Sequence, residues 1–146
     1  MYLTNLSKSL RCFNPSEAKE AFFGPVLALM KRKNDQVKQA CASFLAVLIS
    51  LQYKRNERVE LIKTIKEELG SSSSFVMRKA YITFCQEAVK VFSLRAFRES
   101  FFETYRDMSS DKTAEVRMKF LHSVLLIRPY LEIDVGALLE FNQRLD

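Results

Sequence analysis

The side chains that most often carry out catalysis are few in this sequence and badly placed for it. His122 is the one histidine, and the three cysteines stand at positions 12, 41 and 85. A zinc centre or a Cys–His nucleophile needs these residues grouped, and the sequence shows no such spacing, Gly-rich phosphate loop or serine elbow. The carboxylates of Glu67 and Glu68 are neighbours on a predicted helix, so their side chains diverge. We therefore predict a protein that is not an enzyme and needs no metal or cofactor.

Basic residues offer a second kind of chemistry, the binding of anions. The chain has 23 Lys and Arg against 17 Asp and Glu, a formal net charge of +6. The basic clusters are Lys31, Arg32 and Lys33; Lys54, Arg55 and Arg58; and Arg78 with Lys79. Such residues along a curved surface neutralise phosphates, so nucleic-acid binding is the alternative function. The first cluster is expected near a turn inside a helix pair and the second between pairs, which disfavours one continuous stripe.

The composition limits the fold class and the location. The chain has 146 residues, of which 48% are hydrophobic, with only 3 Gly and 3 Pro. An all-β chain would need more turn residues, so a single all-α domain over residues 1–146 is expected. No apolar run reaches the roughly 18 residues of a membrane span, and the first residues do not resemble a secretory leader. We expect no membrane association, reduced cysteines and a cytoplasmic location, with the nucleus as the alternative.

A repeat of about 40 residues organises the chain. The similar segments begin at Val37, Met77 and Val116, each followed by a basic residue and opening an apolar helix. Apolar residues in these helices recur at the three- and four-residue spacing of a wide buried face, with Lys119 and Ser123 as polar intrusions in the third. Preceding helices are predicted at about 16–33, 57–69 and 94–108. The repeat units are therefore about 16–52, 57–92 and 94–131, with half-repeats at 1–13 and 132–146.

Short polar turns separate the two helices of each unit. The first and third turns contain Asn or Asp, which can cap the following helix, and the second contains four consecutive serines at 71–74. A serine run after Gly70 also suits a flexible linker between two domains. The repeat continues in phase across it, which favours a turn.

The repeat resembles the HEAT family, most clearly in the run from Asp111 to Arg117. The resemblance implies a right-handed superhelix of about three α-helix pairs, flanked by partial terminal helices. In that family an Asp of the turn and an Arg of the second helix form a ladder between repeats. Asp111 and Arg117 match this pair in the third unit, Arg78 matches the base in the second, and Lys38 replaces it in the first.

The runs 76–85, 97–102 and 111–120 are also similar to scaffold and regulatory subunits of type 2A-like Ser/Thr phosphatases, including those of phosphatase 4. The resemblance implies a non-catalytic scaffold with protein partners, among them a phosphatase catalytic subunit. In the type 2A scaffold, the turns within repeats contact the other subunits. The corresponding residues here are Asn34, Asp35, Ser73, Ser74, Asp111 and Lys112.

Both ends of the sequence read as parts of repeats. The first thirteen residues carry an apolar stripe like the end of a second helix, and 133–145 resemble a first helix without its second. Stacked repeats bury a continuous core and need polar ends. We expect the C-terminal helix to pack on a partner or on a neighbouring repeat.

Overall fold

The computed structural model describes residues 8–32 and 34–131, and within these ranges the chain is helical and has no strand. A short 3₁₀ turn, Leu10–Cys12, precedes the first pair, α1 (Pro15–Met30) and α2 (Asp35–Ser50). The backbone N–H of Ser16 donates to Asn14 Oδ1 with an N to O distance of 3.0 Å. Pro15 has no backbone N–H, so it leaves no donor without a partner at the start of α1. The expected all-α class is confirmed.

The second and third pairs begin with helices that widen into π-helical turns. The second pair consists of α3 (Arg55–Ile65), which continues as the π turn Lys66–Gly70, and α4 (Phe75–Val91). The third consists of α5 (Leu94–Phe97), the π turn Arg98–Phe102, α6 (Glu103–Asp107), a 3₁₀ turn Met108–Ser110, and α7 (Ala114–Leu131). The predicted half-repeats fall largely on residues 1–7 and 132–146, outside the described residues.

In both of these first helices the π turn coincides with a run of buried side chains spaced by four residues. Leu61, Ile65 and Leu69 are all buried, although each lies four residues from the next. An α-helix turns once every 3.6 residues, so residues spaced by four drift around its axis. A wider π turn cancels this drift and keeps all three on the core side. The same spacing recurs in the third unit at Phe97, Phe101 and Tyr105, which are also buried.

The second helices form the centre of the stack. Helix α4 packs against α2 on one side and α7 on the other, while α1 packs on α2. The core is continuous across the three pairs, and its largest fully buried side chains include Phe44, Leu48, Tyr81, Phe84, Phe97 and Phe101. Stacking of neighbouring pairs therefore supplies the burial that a single helix pair lacks. The last helix exposes an apolar set comprising Met118, Leu121, Leu125 and Leu126.

Gly70 lets the second and third pairs approach closely. It is buried at the end of its π turn, and a Cβ built there would lie 2.8 Å from Thr104 Cγ2 and 3.4 Å from Tyr81 Cδ2. The first distance is shorter than a van der Waals contact, so any larger residue displaces a neighbour. This position requires glycine because of the available space, and no positive φ angle is involved.

Gly70→Ala is expected to lower the free energy of unfolding by about 1 to 3 kcal/mol, because it overpacks this contact. Urea unfolding followed by circular dichroism measures the change. Gly24→Ala is the matched control, since nothing lies within 4 Å of a Cβ at that position. Equal effects of the two substitutions would show that the contact between the pairs does not depend on Gly70.

Candidate interaction surface

The side chain of Arg78 joins the second and third helix pairs. It lies in the first turn of α4 with 8% of its side chain exposed. Its Nε and Nη2 donate to the two carboxylate oxygens of Asp111, at 2.7 and 3.1 Å. Nη2 also donates to Thr113 Oγ1 at 3.1 Å, and Nη1 donates to the carbonyl oxygens of Ser72 and Ser73 at 2.9 and 3.1 Å. All five N–H groups therefore have an acceptor, which offsets the cost of burying the charge.

Asp111 is held from several directions at once. Its side chain is 9% exposed, and its Oδ1 accepts the backbone N–H of Thr113 at 2.8 Å. Its carbonyl oxygen accepts from Arg117 Nη1 at 2.6 Å. The side-chain hydrogen bonds from Arg78 outweigh desolvation and hold the pKa of the Asp111 carboxyl below its usual value. Asp111 thus stays ionised and positions the turn before α7.

The three predicted ladder bases have three different environments. Arg78 makes the pair with Asp111, whereas Arg117 is exposed and bonds its own turn. Lys38 is 7% exposed, and among residues 8–32 and 34–131 its ammonium has neither an ion pair nor a hydrogen bond. One rung of the ladder therefore spans neighbouring units in the part of the chain described.

The rung between the first two units is missing because the second turn, residues 71–74, holds four serines and no acid equivalent to Asp111. Lys79 and Gln39 occupy equivalent places in their repeats. Lys79 Nζ lies 3.4 Å from Glu115 Oε2, in the first turn of α7. Gln39 Nε2 instead donates at 3.3 Å to Glu87 Oε1, which lies in the second half of α4. The contacts between the first two units therefore differ from those between the second and third.

The predicted partner-binding residues lie at the N-terminal ends of the second helices. Asn34 Oδ1 caps α2 by accepting the N–H groups of Gln36 and Val37 at 3.0 and 3.3 Å. Because the second helices lie side by side, their preceding turns follow one another along one edge. We define the turn edge by its exposed residues, Asn34, Asp35, Ser73, Ser74 and Lys112. Asp111 also lies there but is largely enclosed by its contacts with Arg78. Binding by this edge stays a prediction.

The first two of the three basic clusters named for the nucleic-acid alternative lie apart. Arg32 is exposed just beyond α1, and Lys31 Nζ there lies 2.8 Å from Glu68 Oε2. Lys54 and Arg55 are exposed at the start of α3, and Arg58 Nη1 donates to the Gln52 carbonyl at 3.0 Å. Lys33 lies outside the described residues. Since a short turn between α1 and α2 makes them antiparallel, the clusters occupy opposite edges of the pair.

Three lysines on the second helices form a group that the sequence analysis did not predict. We define the lysine group as Lys38, Lys79 and Lys119, which lie on α2, α4 and α7 respectively. Burial lowers the pKa of Lys38; nearby Asp35 opposes this, while repulsion from Lys79 and Lys119 adds to it. The signal in the sequence is a lysine in the first or second turn of each second helix.

Two kinds of feature are absent from the part of the chain that the structure describes. Within it no three His, Cys, Asp or Glu side chains are grouped to bind a metal, and no helix is long and apolar enough to span a membrane. Cys41 and Cys85 are buried free thiols, and burial raises the pKa of each, which makes them poor nucleophiles. His122 is exposed on α7.

Two curated proteins resemble the chain in sequence. Serine/threonine-protein phosphatase 4 regulatory subunit 4 from mouse is 28% identical over 97 residues, which cover 66% of this chain and 11% of that protein. The human protein of the same name is 27% identical over 97 residues, with the same shares. The chain is similar to a phosphatase regulatory subunit. It spans about a ninth of the length of these relatives, and no protein-family profile or solved structure matches it.

Asp111→Asn is expected to lower the free energy of unfolding at pH 7 by about 3 kcal/mol, because it leaves the Arg78 charge buried without its carboxylate. The folded-state pKa of Asp111 lies below the unfolded value of about 4, so this stabilisation is complete above pH 4. It disappears as the pH falls through the folded-state pKa. Urea unfolding at pH 7 and at successively lower pH measures the difference between the two proteins.

Asp107→Asn is the control for this prediction, because Asp107 is an exposed carboxylate at the end of α6. It is expected to change stability little at either pH. A loss for Asp111→Asn no larger than for this control would contradict the assigned role of the pair.

Proposed function

We propose that the chain is a non-catalytic regulatory or scaffold component of a Ser/Thr protein phosphatase complex and that it binds the catalytic subunit. The observation that carries this proposal is the similarity to two phosphatase 4 regulatory subunits over 66% of the chain.

The stacked helix pairs support such a role physically. A continuous core runs from α1 to α7 and holds the pairs in a constant relation to one another. Turns at the ends of packed helices are therefore presented in a constant order, which reduces the conformational entropy lost when a partner binds. A scaffold benefits from this property, because its binding groups are positioned before the partner arrives.

The turn edge is the surface that we propose for the catalytic subunit. Its residues are exposed, and Ser73 and Lys112 extend from turns that Arg78 and Asp111 hold in place. We assign Asp111 the task of positioning this edge, since its carboxylate is already bonded within the protein. The proposed contacts are polar and charged, so they favour partner specificity and association rate.

The similarity favours protein binding over the nucleic-acid alternative. The exposed basic residues before α2 and at the start of α3 lie on opposite edges of the first helix pair. Lys31 and Arg58 also have partners within the protein. An extended nucleic-acid backbone would need cations along one path.

The purified phosphatase 4 catalytic subunit is expected to bind the 146-residue chain, and the combined substitutions Ser73→Arg and Lys112→Glu are expected to weaken binding about tenfold. Both side chains are exposed, so the pair between Arg78 and Asp111 stays in place. Calorimetric titration measures the affinity, and circular dichroism checks that the variant is folded.

The matched control is the pair Lys54→Glu and Arg55→Glu, which changes exposed charges on the opposite edge. It is expected to leave the affinity unchanged. Failure of the unmodified chain to bind the catalytic subunit would overturn the proposed function. Binding that the turn-edge substitutions leave unchanged would overturn only the choice of surface.

A further inference from the structure

Lys38 is a charged side chain that forms no ion pair among the described residues, although Asp35 lies nearby on the same helix. The residue is 7% exposed, yet among the described residues no carboxylate lies within 4 Å of its ammonium. The Lys38 Nζ forms no hydrogen bond among the described residues, so full enclosure would make it a buried polar atom without a partner. The one side-chain atom of that kind in this part of the chain is Gln52 Oε1, so the Lys38 Nζ is not fully enclosed. The aliphatic stem is therefore buried and the ammonium opens to the surface.

This arrangement costs stability. Burial and the repulsion from Lys79 and Lys119 lower the pKa of Lys38, so its charged form is less favourable in the folded chain than in the unfolded chain. At neutral pH the protein consequently loses free energy by keeping this lysine protonated. Arg78, at the equivalent place in the next repeat, has five acceptors instead. Groups that cost stability in this way are characteristic of binding sites.

The rest of the lysine group lies around this ammonium. Lys79 is bonded to Glu115 at 3.4 Å, and both side chains remain partly exposed, at 37% and 63%. Lys119 is half-buried on α7, and no ion pair is formed by it within the described residues. Three successive second helices thus each contribute one positive charge to the same part of the surface.

We propose that the lysine group binds an extended acidic segment of a partner protein, with one Asp or Glu carboxylate accepting from Lys38 and further carboxylates lying near Lys79 and Lys119. The first carboxylate supplies the ion pair that Lys38 does not form among the described residues. The hydrogen bonds are charge-assisted, and the buried stem of Lys38 restricts its rotamers, so little further entropy is lost on binding.

The neighbouring carboxylates favour a peptide over a nucleic acid. Asp35 lies close to Lys38, Glu115 bonds Lys79, and Glu87 accepts from Gln39 and lies 3.4 Å from Lys90. A nucleic-acid duplex carries a negative charge about every 1.7 Å of its axis and would bring phosphates against these groups. A peptide can place its carboxylates at intervals, with neutral residues opposite the acids.

The inference deepens the proposed function by adding a second group of binding residues beside the turn edge, since Asp35 of that edge lies close to Lys38. It rests on the chain acting as an interaction scaffold and does not require a particular phosphatase. Its test uses no catalytic subunit, so its failure and the failure of the phosphatase proposal are distinguishable.

The test measures binding of a short fluorescein-labelled peptide of alternating Glu and Ser to the 146-residue chain by fluorescence anisotropy. Lys38→Met is expected to weaken binding about tenfold, which corresponds to the loss of one charge-assisted hydrogen bond. Methionine keeps the buried aliphatic volume. The same variant is expected to unfold at a temperature about 2 °C higher, because it removes a charge that the fold disfavours and keeps the buried apolar stem.

Lys119→Gln serves as the second variant and is expected to lose affinity without a change in unfolding temperature. Lys63→Gln is the matched control, since Lys63 is a lysine on α3 whose side chain is 71% exposed. Equal losses for Lys63→Gln and Lys38→Met would overturn the proposal, as would a lowered unfolding temperature for Lys38→Met, which would assign Lys38 to the core. If a duplex oligonucleotide binds more tightly than the peptide, the lysine group prefers nucleic acid to an acidic segment. That result would also overturn the proposal.

Discussion

The near-complete burial of α4 is the constraint on which the rest of the stack depends. Helices α2 and α7 cover it on two sides, so Tyr81, Phe84 and Cys85 are fully buried. Polar groups on such a helix need partners within the protein, because water is excluded. The Tyr81 hydroxyl donates to the Phe101 carbonyl at 3.0 Å, and Arg78 finds its five acceptors in two turns. These bonds allow only one placement of the second pair against the third.

Arg78 and Lys38 show how one repeat position can serve two purposes. The planar guanidinium of Arg78 matches the carboxylate of Asp111 and the carbonyl groups of its own turn. Lys38 occupies the same place in the first unit, but the turn of the second unit holds serines instead of an acid, and Lys38 forms no ion pair among the described residues. The first arrangement ties two units together. The second leaves a positive charge at the surface of the second helices, available to a ligand.

The proposed regulatory role uses the stack as a support for surfaces, which the sequence similarity to phosphatase 4 regulatory subunits also indicates. The turn edge and the lysine group adjoin each other on the second helices and the turns before them, since Asp35 of the edge lies close to Lys38. Such a protein would act by holding a catalytic subunit near an acidic protein segment. Its effect would come from raising the effective concentration of one bound partner near the other.

The sequence by itself determined the helices and the cap of α2. These features are local: Asn34 caps the helix that follows it, and apolar residues at three- and four-residue spacing predict the buried faces. Only the tertiary structure decided which residues pair between units. Asp111 bonds an arginine 33 residues away, and Lys38 forms no ion pair among the described residues. Hydrophobic periodicity specifies which face of each helix is buried, whereas the offset between two helices depends on how both faces interlock.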